Sequence, residues 1–471
     1  MPGLFPGPVL AALAAAPGRA AFEAGGRTVS RGELLAMVRR LAYGLRAAGL
    51  GPGAGVGMVL SLSPEAYAAH LAAHALGCRV AAARPGWSPR QLADAMRAVD
   101  VVVADLPVDG PAIVPAELLA RPDPGGPVPA LARPDDVARL TYTSGSTGRP
   151  KACAHTYRAI SLAYRPDRWA PALARLLTAF DRCLIPESLA SPVMFTYLGR
   201  CLVAGGTAVL PDGLPLPRAI ERHRVSATMM PPARLHHLLD APADLSSLRA
   251  VVLGGSPAAP GLLRAATERL GPVVWQGYGQ GEAGVISMLT PQDVLAGHED
   301  SVGRPLPAVR VDIRDGEICV RSPHMMVGYW DDPRQTAEVL RDGWLHTRDL
   351  GRLDADGLLH LTGRARDVIM VNAEVCYPAA IERVLAGHDR VAQAFVVGAP
   401  DPVTGEAVHA FVVPVGGPEP DRAALLDLVR ERLTANSVPK SITMIRDVPL
   451  TASGKPDRSA LARRTGATPH V

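Results

Sequence analysis

Lysine occurs three times in this chain, at Lys151, Lys440 and Lys455, so 46 of the 49 basic residues are arginine. The two cations are not interchangeable: lysine presents a compact, mobile ammonium, arginine a planar fork. Two of the three lysines end stretches whose composition suits a ligand. Lys151 closes a run in which Thr143, Ser144, Gly145, Ser146, Thr147 and Gly148 follow one another before Arg149 and Pro150. Glycines let the backbone approach a ligand and adopt positive φ. Exposed N–H groups and hydroxyls then form a concave anion site, to which a lysine adds a full charge. The apolar residues 140–142 just before it read as a short buried strand. A flexible linker would not abut such a strand and end in a Pro-Lys pair, so the stretch reads as a phosphate cradle. It is not a Walker loop, because no Ser or Thr follows Lys151, and G-x-G-x-x-G is absent. Lys455 lies in a turn of small polar residues, TASGKP.

These stretches resemble those of the adenylate-forming superfamily, which includes acyl-CoA synthetases, peptide-synthetase adenylation domains and luciferases. TSGSTGRPKA resembles its phosphate loop and PLTASGKPDR the turn that carries its C-terminal catalytic lysine. Further matches run through nearly the whole chain in the family's order. The resemblance implies catalytic roles for Lys455, Lys151 and Glu282. WQGYGQGEAG (residues 275–284) is similar to the Y-G-x-T-E element, which implies that Tyr278 stacks on adenine beside Gly279 and that Glu282 holds Mg²⁺. A single carboxylate suits Mg²⁺, a hard ion that keeps most of its waters. Asp349, in HTRDL, matches the aspartate that binds the ribose hydroxyls; Arg364 matches a second ribose contact and Arg366 the hinge. Gly254, after a predicted strand, joins the nucleotide-binding set. Four departures stand out. Gly281 replaces the usual threonine, and Arg348 the usual glycine. Asn372-Ala373 replaces a glycine pair that lets a pantetheine arm pass in thioester-forming members. In IPESLAS (residues 185–191), Glu187 and Ser188 stand where many members place a histidine or aromatic residue.

A chain of 471 residues is too long for one typical core, so two or more domains are expected. Hydrophobic content of 48% and a net charge of +4 without a basic block fit a soluble α/β enzyme and argue against nucleic-acid binding. The six cysteines lie far apart with no C-x-x-C pair, which points to reduced thiols and a cytoplasmic location. His70 and His74 are spaced i, i+4, with no acidic residue to complete a metal motif, and read as packing or surface histidines. The Ala-rich N-terminal stretch lacks a preceding basic residue and reads as a helix rather than a signal peptide. No apolar run reaches membrane-spanning length.

Residues 56–62, 79–83 and 101–104 read as strands, alternating with helices at 64–77 and 88–99. Residues 203–210, 225–230 and 248–255 supply more strands around a helix at 216–224. Such alternation means parallel, doubly wound sheets, with ligands at the carboxyl ends of the strands. After residue 313 the texture changes to short strands and Asp-Gly hairpins. A compact α+β unit follows, with a helix at 378–386, strands near 392–397 and 410–415, and a helix at 422–436. The expected architecture is α/β: a large N-terminal domain (1–363) of doubly wound sheets plus a small β region, then a small mobile α+β lid (364–471).

The expected chemistry is ATP- and Mg²⁺-dependent adenylation of a small-molecule carboxylic acid with release of pyrophosphate. Transfer to a thiol, of coenzyme A or of a carrier-protein phosphopantetheine, would follow. The Asn372-Ala373 departure leaves open a non-thiol acceptor such as an amine. The unusual pocket leaves open activation of nitrite for diazotisation. A non-catalytic nucleotide-binding protein is the reading from another class. No nucleic-acid or membrane partner is expected.

Overall fold

Short apolar runs, most of them followed by a helix with proline at or beside its start, build the parallel parts of two large sheets. The computed structural model describes residues 3–84, 86–143, 151–365, 367–415, 418–451 and 455–465. In the six-stranded sheet, Gly55–Val59 lies between Arg79–Ala82 and Val101–Ala104, both parallel to it. Val137–Thr143 extends the sheet in parallel, and Lys151–Thr156 turns back antiparallel beside it. Ser63 and Ser88 cap the helices Pro64–Ala75 and Pro89–Met96, each with proline in the first turn.

The nine-stranded sheet holds Arg182–Leu184, Thr207–Val209, Ala227–Met230, Ala250–Leu253 and Val274–Gln280 in parallel register. Gly284–Leu289 returns antiparallel from Val274–Gln280. At the far edge sits a hairpin from the start of the chain, Ala20–Ala24 with Arg27–Ser30, paired to Thr207–Val209. The core between the two sheets is apolar and aromatic, and Tyr67, Tyr157, Phe5, Phe22, Phe180 and Phe195 are fully buried in it. His70 and His74 are packing histidines on Pro64–Ala75, 3% and 1% exposed. The stretch 106–136 is a connection that also carries the short helix Pro115–Leu119.

A five-stranded antiparallel sheet follows, in which Glu317–Arg321 pairs with Trp344–Leu353 and Leu359–Arg364 completes the edge. Arg364 still belongs to this sheet; the next strand, Ile369–Val371, belongs to the last one. That last sheet centres on Val391–Asp401 and Gly405–Pro414, with Pro378–Ala386 and Arg422–Arg432 against it. The helix expected to reach residue 436 ends at Arg432, and Ala435–Ser437 is a separate 3₁₀ turn. The final unit docks on the first body: Gln393 Nε2 donates to the Pro232 carbonyl at 3.2 Å, and Arg383 donates to the Leu361 carbonyl. All six cysteines are free and buried. Among the described residues no helix is long and apolar enough to cross a membrane.

Candidate active site

Asp349 and Arg364 face each other across the antiparallel pair Trp344–Leu353 and Leu359–Arg364. Asp349 is 4% exposed, and a carboxylate so buried needs partners. Arg364 Nε donates to its Oδ1 at 2.6 Å. Tyr278 Oη at 2.7 Å and Gln280 Nε2 at 2.6 Å donate to Oδ2. Burial, with Asp349 beside it, holds the Tyr278 phenol far above its usual pKa, so it stays a donor. The backbone N–H of Asp349 donates to Thr347 Oγ1 at 3.1 Å, which fixes the carboxylate's approach.

Arg348 adopts a left-handed φ of 63°. Its Nη2 lies 3.2 Å from Glu338, on the helix Pro333–Val339. Its backbone N–H donates to Glu317 Oε1 at 2.8 Å, and Glu317 Oε2 lies 2.9 Å from His346 Nδ1. Glu317 thus braces the strand segment that presents Asp349, and Glu338 pairs with the cation at position 348.

Glu282 sits in the turn between Val274–Gln280 and Gly284–Leu289. Tyr329 Oη donates to Glu282 Oε1 at 2.8 Å. The Lys151 ammonium lies 5.2 Å from the centroid of the Tyr329 ring, a cation–π contact. Tyr329 therefore links the acid to the lysine. At Gly281 a Cβ would lie 2.5 Å from Thr143 Cγ2, so Thr143 already fills the space that a threonine there would need. Gly279 is required for a different reason: a Cβ would fall 2.2 Å from the Gly284 carbonyl across the hairpin. Gly254, after Ala250–Leu253, lies beside Gly277 at the carboxyl ends of the parallel strands.

Lys455 reaches this crevice from the last unit. Its turn is closed by the Thr451 N–H donating to the Lys455 carbonyl at 2.7 Å. The residue as a whole is exposed, and the charges of Arg364, Arg84, Glu282 and Asp349 act on its ammonium. Burial, then the nearby Arg364 and Arg84 guanidinium groups, lower its pKa, and Glu282 and Asp349 oppose the shift. Lys440, by contrast, is tied to Asp401 away from this cluster.

Around the expected acid pocket, Arg234 Nη1 lies 3.1 Å from Glu187 Oε1 without the alignment of a hydrogen bond. Ser188 Oγ accepts from the Ala190 N–H at 3.2 Å and so shapes its own loop. Asn372 and Ala373 form the turn between Ile369–Val371 and Glu374–Cys376, with φ of 52° and 62°. Asn372 Nδ2 donates to Asn436 Oδ1 at 2.9 Å, which ties the turn to the 3₁₀ segment.

The structure therefore gathers Lys151, Glu282, Tyr278, Asp349, Arg364 and Lys455 around one crevice. Ser144, Gly145, Ser146, Thr147, Gly148 and Arg366 lie outside the described residues. Sequence reasoning missed Gln280, Tyr329, Glu317 and Arg84. Tyr329 has no motif, and its partner Glu282 is 47 residues away. Arg84 donates to the Tyr142 carbonyl at 3.2 Å, and a charged residue directly after the apolar strand 79–83 was the available signal.

The AMP-binding enzyme family model matches residues 10–330, and the AMP-binding enzyme C-terminal domain model matches residues 380–455. A medium/long-chain-fatty-acid–CoA ligase of Mycobacterium tuberculosis is 37% identical over 361 residues, 70% of this chain and 62% of that protein. A feruloyl-CoA synthase of Amycolatopsis sp. is 34% identical over 494 aligned residues, 96% of both proteins. Among solved structures, the amide bond synthetase McbA of Marinactinospora thermotolerans superposes with a TM-score of 0.83 at 36% identity, covering 97% of this chain and 99% of that one. With a family match over more than half its length and its C-terminal domain matched as well, the chain belongs to the family of AMP-binding, adenylate-forming enzymes.

Proposed function

We propose that this enzyme joins a small-molecule carboxylic acid to ATP as an acyl-adenylate and then passes the acyl group to a thiol, with coenzyme A as the acceptor. The observation that carries this reading is the position of Lys455. A lysine from the last unit stands in the same crevice as the Asp349–Arg364 pair and Glu282.

In the first step a carboxylate oxygen of the acid attacks the α-phosphorus, and the bond to the β-phosphate oxygen breaks. Charge spreads over phosphoryl oxygens, so catalysis is positioning and electrostatic stabilisation. Asp349 accepts from the ribose hydroxyls, and Arg364 keeps it aimed. Lys455 stabilises charge at the α-phosphate, and Lys151 with Thr143 and the residues up to Gly148 holds the departing pyrophosphate. Glu282 fits Mg²⁺: Tyr329 takes one lone pair of Oε1 and leaves hard carboxylate oxygen for the ion, which shields the phosphates. In the second step the thiolate sulfur attacks the acyl carbon and AMP leaves.

We assign residues 364–471 as a lid that swings between the steps, with Arg366 as its hinge, because Lys455 is needed only for the first. Buried reduced thiols support a cytoplasmic enzyme. A second reading exchanges the thiol for an amine, giving an amide. Asn372 and Ala373 favour it, since their side chains occupy the turn where a pantetheine arm would pass, and the similar McbA is an amide bond synthetase. ATP–pyrophosphate exchange over a panel of acids and nitrite tests the first step. Mass spectrometry with coenzyme A, holo-carrier protein and amines then identifies the acceptor. No acid-dependent exchange would sink the adenylation reading, and amide without thioester would select the second reading.

A further inference from the structure

Arg139 is a charge buried without an acid. It lies on Val137–Thr143, 8% exposed, and among the described residues no carboxylate pairs with it. Among the described residues its one side-chain hydrogen bond is a long one, Nη2 to the Leu189 carbonyl at 3.5 Å, and its guanidinium lies over the Phe195 ring, 4.7 Å from the centroid. Burying a guanidinium with so little compensation is costly. Among the described residues no ion pair of the fold uses it.

Its placement points into the site. Side chains alternate along a strand, so Arg139 shares a face with Thr141 and Thr143. That face looks at the hairpin turn of the active site: a Cβ on Gly281 would meet Thr143 at 2.5 Å and Thr141 at 3.9 Å. Arg139 stands four residues back from Thr143, roughly 13 Å along the strand, on the floor beneath the nucleotide end. Leu189, which it touches, belongs to the loop 185–191, where the acid is expected.

The surroundings select what could lie there. His155, directly opposite Arg139 across the strand pair, is 7% exposed, and its Nδ1 has no hydrogen-bond partner. Burial and the Arg139 charge push His155 down to about 4, so it is neutral and can accept or donate a hydrogen bond. Phe195 and Tyr164 supply aromatic walls. A guanidinium fork beside an imidazole whose Nδ1 is unpartnered, between aromatic rings, suits a carboxylate on a ring.

We propose that Arg139, with His155, anchors a second carboxylate on the acid substrate, so that the enzyme selects aromatic diacids over the matching monoacids. The proposal rests on the adenylation reading and adds the substrate class to it. One carboxylate reaches the α-phosphate near Lys455, and the other pairs with Arg139 about a ring's length deeper.

The test compares matched pairs, benzoate with terephthalate and cinnamate with 4-carboxycinnamate. Wild-type enzyme is expected to rise in Tm with a diacid and not with its monoacid, a readout free of turnover. In pyrophosphate exchange, kcat/KM is expected to favour the diacid by roughly a hundredfold, the scale for leaving one member of a buried charge pair alone. Arg139→Met is expected to fold with a Tm at or above wild type and to lose that preference, keeping its monoacid rate; Arg139→Lys is expected to keep part of it. Monoacids used as well as diacids by the wild type would overturn the proposal. So would equal losses for both acids in Arg139→Met, which would make Arg139 a brace for the 185–191 loop. Exchange with monoacids alone removes only the Arg139 assignment, whereas no exchange with any acid removes the adenylation reading beneath it.

Discussion

Lys455 and Lys440 belong to the same final unit and differ in what surrounds them. The Lys455 ammonium is crowded by Arg364 and Arg84 in the crevice, while Lys440 is paired with Asp401. Lys455→Ala therefore predicts a fall of at least roughly a hundredfold in adenylation, the scale for losing one preorganised donor. Acyl transfer from a preformed acyl-adenylate should persist. Lys440→Ala predicts a lower Tm and normal adenylation. Measuring both half-reactions for both variants decides the matter, and a Lys455→Ala enzyme with near-normal adenylation would remove that residue from the mechanism. Gly281→Thr predicts loss of adenylation, since its Cβ would collide with Thr143; partial recovery in the Thr143→Ser background would confirm the collision. At this scale the sequence was informative wherever a residue lies in a short contiguous motif, as Asp349 and Glu282 do. It was silent for Tyr329 and Glu317, whose roles come from pairing across 47 and 31 residues.

Elements built from local signals matched expectation closely. Pro378–Ala386 was legible from its proline start and apolar spacing, and the parallel strands 101–104 and 227–230 from their apolar runs. The edge hairpin Ala20–Ala24 with Arg27–Ser30 was not, because its place is set by pairing with Thr207–Val209, far along the chain. The turn at Asn372-Ala373 carries the clearest element-level consequence. A left-handed φ of 62° at Ala373 is strained for any residue with a Cβ. Ala373→Gly predicts a gain of about 1 kcal/mol in stability, read as a shift in the denaturation midpoint. If the side chain also narrows the thiol's path, the same variant accelerates thioester formation relative to adenylation. An unchanged ratio of the two rates would place the acceptor's route elsewhere.

At the scale of the molecule, two features govern behaviour in solution. The first is a set of histidines buried neutral. Burial lowers His70 to about 3 and His155 to about 4, against 6.5 for a free imidazole. Arg139 lies near both, and Phe195 lies against His70. Between the free and folded values the unfolded chain binds protons that the folded chain refuses. Stability therefore falls as pH drops through that window, by up to about 1.4 kcal/mol per pH unit for each histidine. Tm measured from about pH 7 to about pH 5 should decline, and His70→Gln should flatten the decline; a flat profile in the wild type would show these imidazoles to be hydrated. The second feature is the docking of the last unit through Gln393 and Arg383. If that unit swings, Arg366→Pro fixes φ at the hinge and slows the second half-reaction more than the first, whereas equal losses would count against a hinge there.

The scarcity of lysine has a consequence for the enzyme's own chemical survival. An acyl-adenylate is an acylating agent, and an escaping molecule meets first the protein that made it. Lysine amines are the side chains it would modify, whereas a guanidinium stays protonated and inert. Only three side-chain amines are present, and one of them is occupied by Asp401. Self-inflicted acylation is thereby confined to very few sites, foremost Lys455, whose lowered pKa leaves more free amine than an ordinary lysine has. Intact-mass spectra taken after prolonged turnover without acceptor should show a single adduct at most, mapping to the catalytic turn, and its accumulation should track the decay of activity.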